Sequence, residues 1–122
     1  MQNFQSKFKS DLLLRCYQFS LSIISLTDKL PNKRSVWVIS DQLIRSATSI
    51  GANITEGKAA SSRLEFKKYY EIALKSANES KYWLNLLRDT KITSPEETEG
   101  LICENDELCK MLAAGVMKLK KN

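Results

Sequence analysis

The sequence predicts an all-α protein, an antiparallel up-and-down left-handed four-helix bundle, on three observations. Apolar residues recur at spacings of three and four along most of the chain, and no run of period-two alternation argues for a strand. Pro31 and Pro95, the two prolines, both fall where that periodicity breaks. Where it resumes stand Ser35, Ser62 and Ser94, short hydroxyl residues suited to cap a helix N-terminus. With 122 residues and 43% hydrophobic content, the chain has the core of one domain, residues 1–122.

The first helix, over about residues 6–30, follows from Leu12, Cys16, Phe19, Ile23, Leu26 and Leu30. Pro31-Asn32-Lys33-Arg34 is the turn after it. Ser35 caps a second helix over 35–57, carrying Val36, Leu43, Ala47, Ile50 and Ile54, with Gly57 as a left-handed stop. Ser62-Arg63-Leu64-Glu65 reads as a capping box opening a third helix over 62–90. Its seam, Phe66, Tyr70, Ala73, Ala77, Ser80, Leu84 and Leu87, alternates four and three without interruption. Ser94-Pro95-Glu96-Glu97 opens a fourth over 94–119, with proline in the first turn and acids where the helix dipole favours them. Leu101, Asn105, Leu108, Leu112, Val116 and Leu119 are its inward positions.

Much chemistry is excluded by composition. The chain has no histidine, which removes Ser-His-Asp and Cys-His catalysis, His-ligated zinc and the Glu-x-x-His pairs of di-iron bundles. Gly51 to Ala59 is superficially similar to a phosphate loop, but five residues separate the glycines, Ala59 stands where a hydroxyl is needed, and the segment keeps helical periodicity. The acidic run Glu96, Glu97, Glu99, Glu104, Asp106 and Glu107 lacks the alternation and central glycine of a calcium loop and reads as a solvated face. No nucleophile, base, metal or cofactor site emerges, so a non-enzyme without cofactor is expected. Three cysteines, an odd number, read as buried thiols. The start of the chain has no apolar run, and Cys16 to Thr27 is too short and polar to span a bilayer, so the expected location is the cytoplasm. The sequons at Asn53 and Asn78 would matter only in a secreted protein.

Charge is unevenly spread. Residues 58–91 carry eight basic and four acidic side chains, residues 92–117 one basic and six acidic, and Lys118, Lys120 and Lys121 follow as a basic tail. On the third helix Lys67, Lys81 and Arg88 fall at e positions and Lys68 and Lys75 at f positions, so five cations share one edge. Such a stripe can track phosphates, or it can pair with a neighbouring acidic helix. Tyr69, Ser76 and Trp83 lie at successive g positions beside the seam, where packing on another helix or another protomer is expected rather than base stacking. On the second helix, Arg45, Ser49, Asn53 and Glu56 form a stripe turned away from its apolar face. Short Ser and Asn residues are mediocre helix formers, which favours a packed polar surface, with a subunit contact in which Arg45 meets Glu56 or Glu79 as the expectation.

Asp41-Gln42-Leu43-Ile44-Arg45-Ser46-Ala47 followed by Ser49-Ile50-Gly51-Ala52-Asn53-Ile54-Thr55-Glu56-Gly57 resembles the hallmark of the bacterial four-helix-bundle family named for proteins encoded in intervening sequences of 23S ribosomal RNA genes. Phe66, Ile72-Ala73, Ser76 and Glu79 resemble its second motif, and the likeness runs from about residue 8 to 119. Thr55, Gly51 and Lys75 depart from the usual Ala, Pro and Gly; Lys75 enlarges the basic edge. The resemblance implies a homo-oligomer, a ring-like homopentamer, organised by Arg45, Ser49, Asn53, Glu56, Ser76 and Glu79. A related branch, the accessory variability proteins of diversity-generating retroelements, implies RNA or DNA and a reverse transcriptase as partners. The resulting expectation is a non-enzymatic, oligomeric nucleic-acid-binding accessory protein, RNA its ligand, with phosphate contacts from Lys67, Lys68, Lys75, Lys81 and Arg88. The alternative is a protein-interaction scaffold whose basic edge meets an acidic protein.

Overall fold

Periodic apolar stripes between two prolines give four helices in the computed structural model, which describes residues 11–121. These are α1 (Asp11–Asp28), α2 (Arg34–Lys58), α3 (Arg63–Asp89) and α4 (Pro95–Lys120). The expected start of the first helix near residue 6 lies outside the described residues. Its end comes at Asp28 rather than 30, because the Lys29 and Leu30 amides turn to the Leu26 and Thr27 carbonyls in i→i+3 bonds of 3.1 and 3.2 Å.

Two expected helix signals are corrected. Ser35 does not cap α2: Lys33, in extended backbone, is the N-cap and makes no side-chain cap bond. The Lys33 amide bonds to the Pro31 carbonyl at 3.0 Å, and the Trp37 amide already reaches the Lys33 carbonyl at 3.0 Å, so the first turn closes before Ser35. Gly57 is not a left-handed stop either, since no glycine among the described residues has positive φ. It is buried within the last turn of α2, where a Cβ would lie 3.0 Å from Tyr69 Cβ and 3.2 Å from Phe66 Cδ1. Its role is close approach of α2 to α3. The other two caps follow the sequence more closely. Ser62 Oγ accepts the Glu65 amide at 3.1 Å, while Glu65 Oε1 accepts from the Ser61 amide at 3.4 Å, one residue before the usual partner of the box. Ser94 is the N-cap of α4 with Pro95 at N1, but its side chain makes no cap bond. Between α3 and α4 the left-handed residue is Lys91, at φ 60°.

Buried positions of all four helices meet in one core, with Cys16, Phe19, Ile23 and Leu26 from α1 facing Leu43, Ala47, Ile50 and Ile54 from α2. Ala73, Ala77, Leu84 and Leu87 of α3 and Ile102, Leu108 and Leu112 of α4 complete it. Each large aliphatic side chain buried here contributes about 1.5–3 kcal/mol. At the start of α3 the seam opens: Phe66 and Tyr70 are only half-buried and stack edge to face, centroids 5.1 Å apart. Pairings between neighbours descend on one helix as they rise on the other: Arg45–Glu79, Ser49–Ser76 and Gly57–Tyr69 between α2 and α3, and Arg88–Glu99, Ala77–Asn105 and Arg63–Lys118 between α3 and α4. α3 therefore runs antiparallel to both α2 and α4. Of the three cysteines expected to be buried, only Cys16 is; Cys109 is half-buried and Cys103 exposed, because the inward stripe of α4 runs through Ile102, Asn105, Leu108 and Leu112 instead.

Candidate functional site

The polar stripe of α2 lies against α3, where it forms a ladder of short side chains. Ser46 and Ser80, both fully buried, meet hydroxyl to hydroxyl at 2.9 Å, and each is also anchored on its own helix, Ser46 on the Leu43 carbonyl and Ser80 on the Ser76 carbonyl. One turn along, Ser49 Oγ accepts from Ser76 at 3.0 Å and from Asn53 Nδ2 at 2.9 Å. Asn53 also donates to the Ser49 carbonyl at 2.8 Å. Above Ser46, Arg45 is paired with Glu79, whose Oε2 also accepts from Trp83 Nε1 at 2.9 Å. Arg45 thus meets Glu79 inside one chain. Glu56 is exposed, and among the described residues its side chain has no hydrogen bond or ion pair. The rungs are short side chains of two to four heavy atoms because the helices they join approach closely; Ala73 and Ala77 on α3 and Ala47 on α2 flank them.

Along the opposite side of α3, the five basic residues divide into two groups. Lys81 Nζ lies 2.9 Å from Asp106 and Arg88 Nη1 3.1 Å from Glu99, both on α4. The hydrogen bond donated to the Asp106 carboxylate raises the pKa of the Lys81 ammonium, and those donated to Asp89 and Glu99 raise that of Arg88. Both cations serve the α3–α4 seam in part. Lys67, Lys68 and Lys75 have no carboxylate partner among the described residues, and Lys68 and Lys75 are exposed.

Two further polar arrangements hold α4 in place. Asn105, fully buried at a position of the inward stripe, donates from Nδ2 to the Ala77 carbonyl at 2.9 Å. Arg15 of α1 grips Glu104 through Nε and Nη2 at 3.0 and 2.7 Å, a two-point contact that orients both side chains. Behind it, burial and then the Glu104 carboxylate push the Cys16 thiol up to about 12. Trp37, by contrast, is exposed and donates Nε1 to Asn32 at 2.7 Å. Among the described residues there is no group of three or more His, Cys, Asp or Glu placed to hold a metal, and no helix is long and apolar enough to cross a membrane.

Residues 9–114 match the profile of the 23S rRNA-intervening sequence proteins. The chain belongs to that family. A crystal structure of a protein with unknown function from the S23 ribosomal protein family of Bacteroides thetaiotaomicron is similar to this 23S rRNA-intervening sequence family member at 38% identity and a TM-score of 0.81. The likeness covers 86% of this chain and 97% of that one. No curated protein matches. In this family member the hallmark segment from Asp41 to Gly57 is the α2 side of the serine ladder, and Ser76 and Glu79 are its α3 side. The two motifs thus describe one helix–helix seam. Two contributors escape a reading by helical face: Ser46, whose hydroxyl finds its role only against Ser80 of the α3 seam, and Arg63, which looks like an ordinary surface cation in a capping box. Arg63 in fact donates to the Lys118, Leu119 and Lys121 carbonyls at 2.9, 3.3 and 2.8 Å, closing the end of α4.

Proposed function

We propose that this family member is a non-enzymatic, oligomeric nucleic-acid-binding accessory protein, with RNA as its ligand and an RNA-handling enzyme of the reverse-transcriptase kind as its companion. One observation supports the reading above others: Lys67, Lys68 and Lys75 lie on one side of α3 without carboxylate partners, while the acids of α4 engage Lys81 and Arg88 farther along the same edge. Phosphate contacts are assigned to the three free lysines, with Lys81 and Arg88 at the far limit of the track. Assembly is assigned to the exposed apolar side chains away from those lysines, Leu21 and Ile24 beside a groove of about 390 Å³ between α1 and α2, and Trp37 and Val38 at the start of α2. Those two faces differ, so copies joined through them meet head to tail and close into a ring, the pentamer that the resemblance implies.

The test is binding of the purified protein to a structured RNA and to matched single- and double-stranded DNA across ~50–200 mM salt, with oligomer mass recorded in the same samples. Charge reversal at Lys67, Lys68 and Lys75 should abolish binding and leave the oligomer mass unchanged. Absence of binding by a folded oligomer at the lowest salt rejects the reading. The same exposed apolar side chains favour a second one, a protein-interaction scaffold, which gains if a partner protein is recovered after nuclease treatment.

A further inference from the structure

The cations of this chain are sorted by position along the bundle. At one end α2 and α4 finish and α3 begins: Lys58 closes α2, Arg63, Lys67 and Lys68 lie in the first turns of α3, and Lys118, Lys120 and Lys121 end α4. Arg63 fixes the adjacency, since its guanidinium donates to three carbonyls between Lys118 and Lys121. These seven cations face four carboxylates at the same end, Glu56, Glu65, Glu71 and Asp11 at the start of α1. None of the seven is in a salt bridge among the described residues. Elsewhere in residues 11–121 there are ten cations and ten carboxylates, and six of those cations are in salt bridges. Among the described residues, the excess of cations over carboxylates is concentrated at this end.

Helix dipoles explain part of the placement, because lysines are favoured at the C-termini of α2 and α4. They do not explain the rest. A helix end carries roughly half a charge, and the start of α3, where Arg63, Lys67 and Lys68 lie, is the end at which cations are disfavoured. We infer that this end of the bundle is a phosphate-binding pole: Lys58, Lys118, Lys120 and Lys121 take the backbone of a nucleic-acid strand that then runs along α3 over Lys67, Lys68 and Lys75. The inference rests on the nucleic-acid reading above and extends it to residues on two other helices. A strand fits the layout better than a lipid surface does. From Lys67 to Lys75 the track descends about 12 Å along the side of α3, a path that a strand follows and that a flat membrane resting on the end of the bundle does not reach.

The test compares two triple variants of equal charge change, each removing unpaired cations. One is Lys58→Gln, Lys118→Gln, Lys121→Gln at the pole; the other is Lys33→Gln, Arg34→Gln, Lys91→Gln at the opposite end. Arg63 is left intact because it caps α4. Circular dichroism and oligomer mass confirm that both fold. Binding to a structured RNA is titrated with salt, and binding to phosphatidylserine vesicles is measured alongside. Loss of three phosphate contacts lowers the log–log salt slope by about 2–3 and weakens binding on the order of 100-fold near ~0.1 M salt; the pole variant should do so and the opposite-end variant should stay within a few fold of the parent. An equal loss in both variants makes the effect one of net charge and overturns the pole. So does unchanged RNA affinity in the pole variant, including the case where vesicle binding alone is lost. If the parent protein binds no nucleic acid at all, the functional reading fails and the pole falls with it; if the parent binds and the pole variant binds equally, only the pole fails.

Discussion

Three cysteines illustrate how much one side chain's surroundings decide. Cys16 sits beneath the Arg15–Glu104 pair, and burial keeps its thiol protonated, whereas Cys103 is exposed two turns before the half-buried Cys109. A thiolate is the reactive form, so a maleimide at neutral pH should modify Cys103 first, Cys109 more slowly and Cys16 only on unfolding, as read by intact mass against time. Equal rates for all three would contradict the burial pattern. The same shift ties stability to pH. Because the folded pKa of Cys16 is raised, the native state keeps a proton that the unfolded chain releases. Its contribution is complete below about pH 8.5, the ordinary thiol value, and is lost as pH rises from there towards about 12. Urea midpoints should therefore fall across that alkaline window, and Cys16→Ala should flatten part of the slope.

At the scale of single helices, glycine separates packing from propensity. Gly57 and Gly100 both stand inside helices, but a Cβ at Gly57 would press on Tyr69 Cβ and the Phe66 ring, and one at Gly100 would meet nothing within 4 Å. Gly100→Ala should gain about 0.5–1 kcal/mol from helix propensity. Gly57→Ala should lose about 1–2 kcal/mol, the cost of overpacking less that gain. Thermal unfolding of the two variants measures both signs, and stabilisation by both would show that α2 and α3 can move apart. Gly57 also marks where a sequence reading stops. A glycine near the end of an apolar stripe signals either a left-handed stop or a close neighbour, and the neighbour belongs to a helix that starts six residues later. Ser35 failed for a local reason, since Pro31 sets the turn so that Lys33 closes it. Ser62 succeeded because its partner, Glu65, lies within the same turn.

For the bundle as a whole, the helices and their order were legible because a 3.6-residue period needs no knowledge of the neighbour. The polar seam and the division of the basic edge were not, because both depend on which helix lies beside α3. Lys81 and Lys75 look alike in sequence, yet only Lys81 meets an α4 carboxylate. Packing is also uneven: α2 and α3 share the most extensive interface, and α1 touches α4 only lightly. Native-state amide exchange should accordingly show α1 opening first and the amides around Ser46 and Ser80 exchanging last, near the global unfolding free energy. Uniform protection across all four helices would argue against this order.

The concentration of unpaired cations at one end has a kinetic side. A cylinder about 40 Å long with its excess positive charge at one tip feels a torque in the field of any polyanion and turns before it touches. Arrival becomes end-first, fewer collisions are wasted on the wrong orientation, and the encounter rate, not only the lifetime of the complex, takes on a steep dependence on ionic strength.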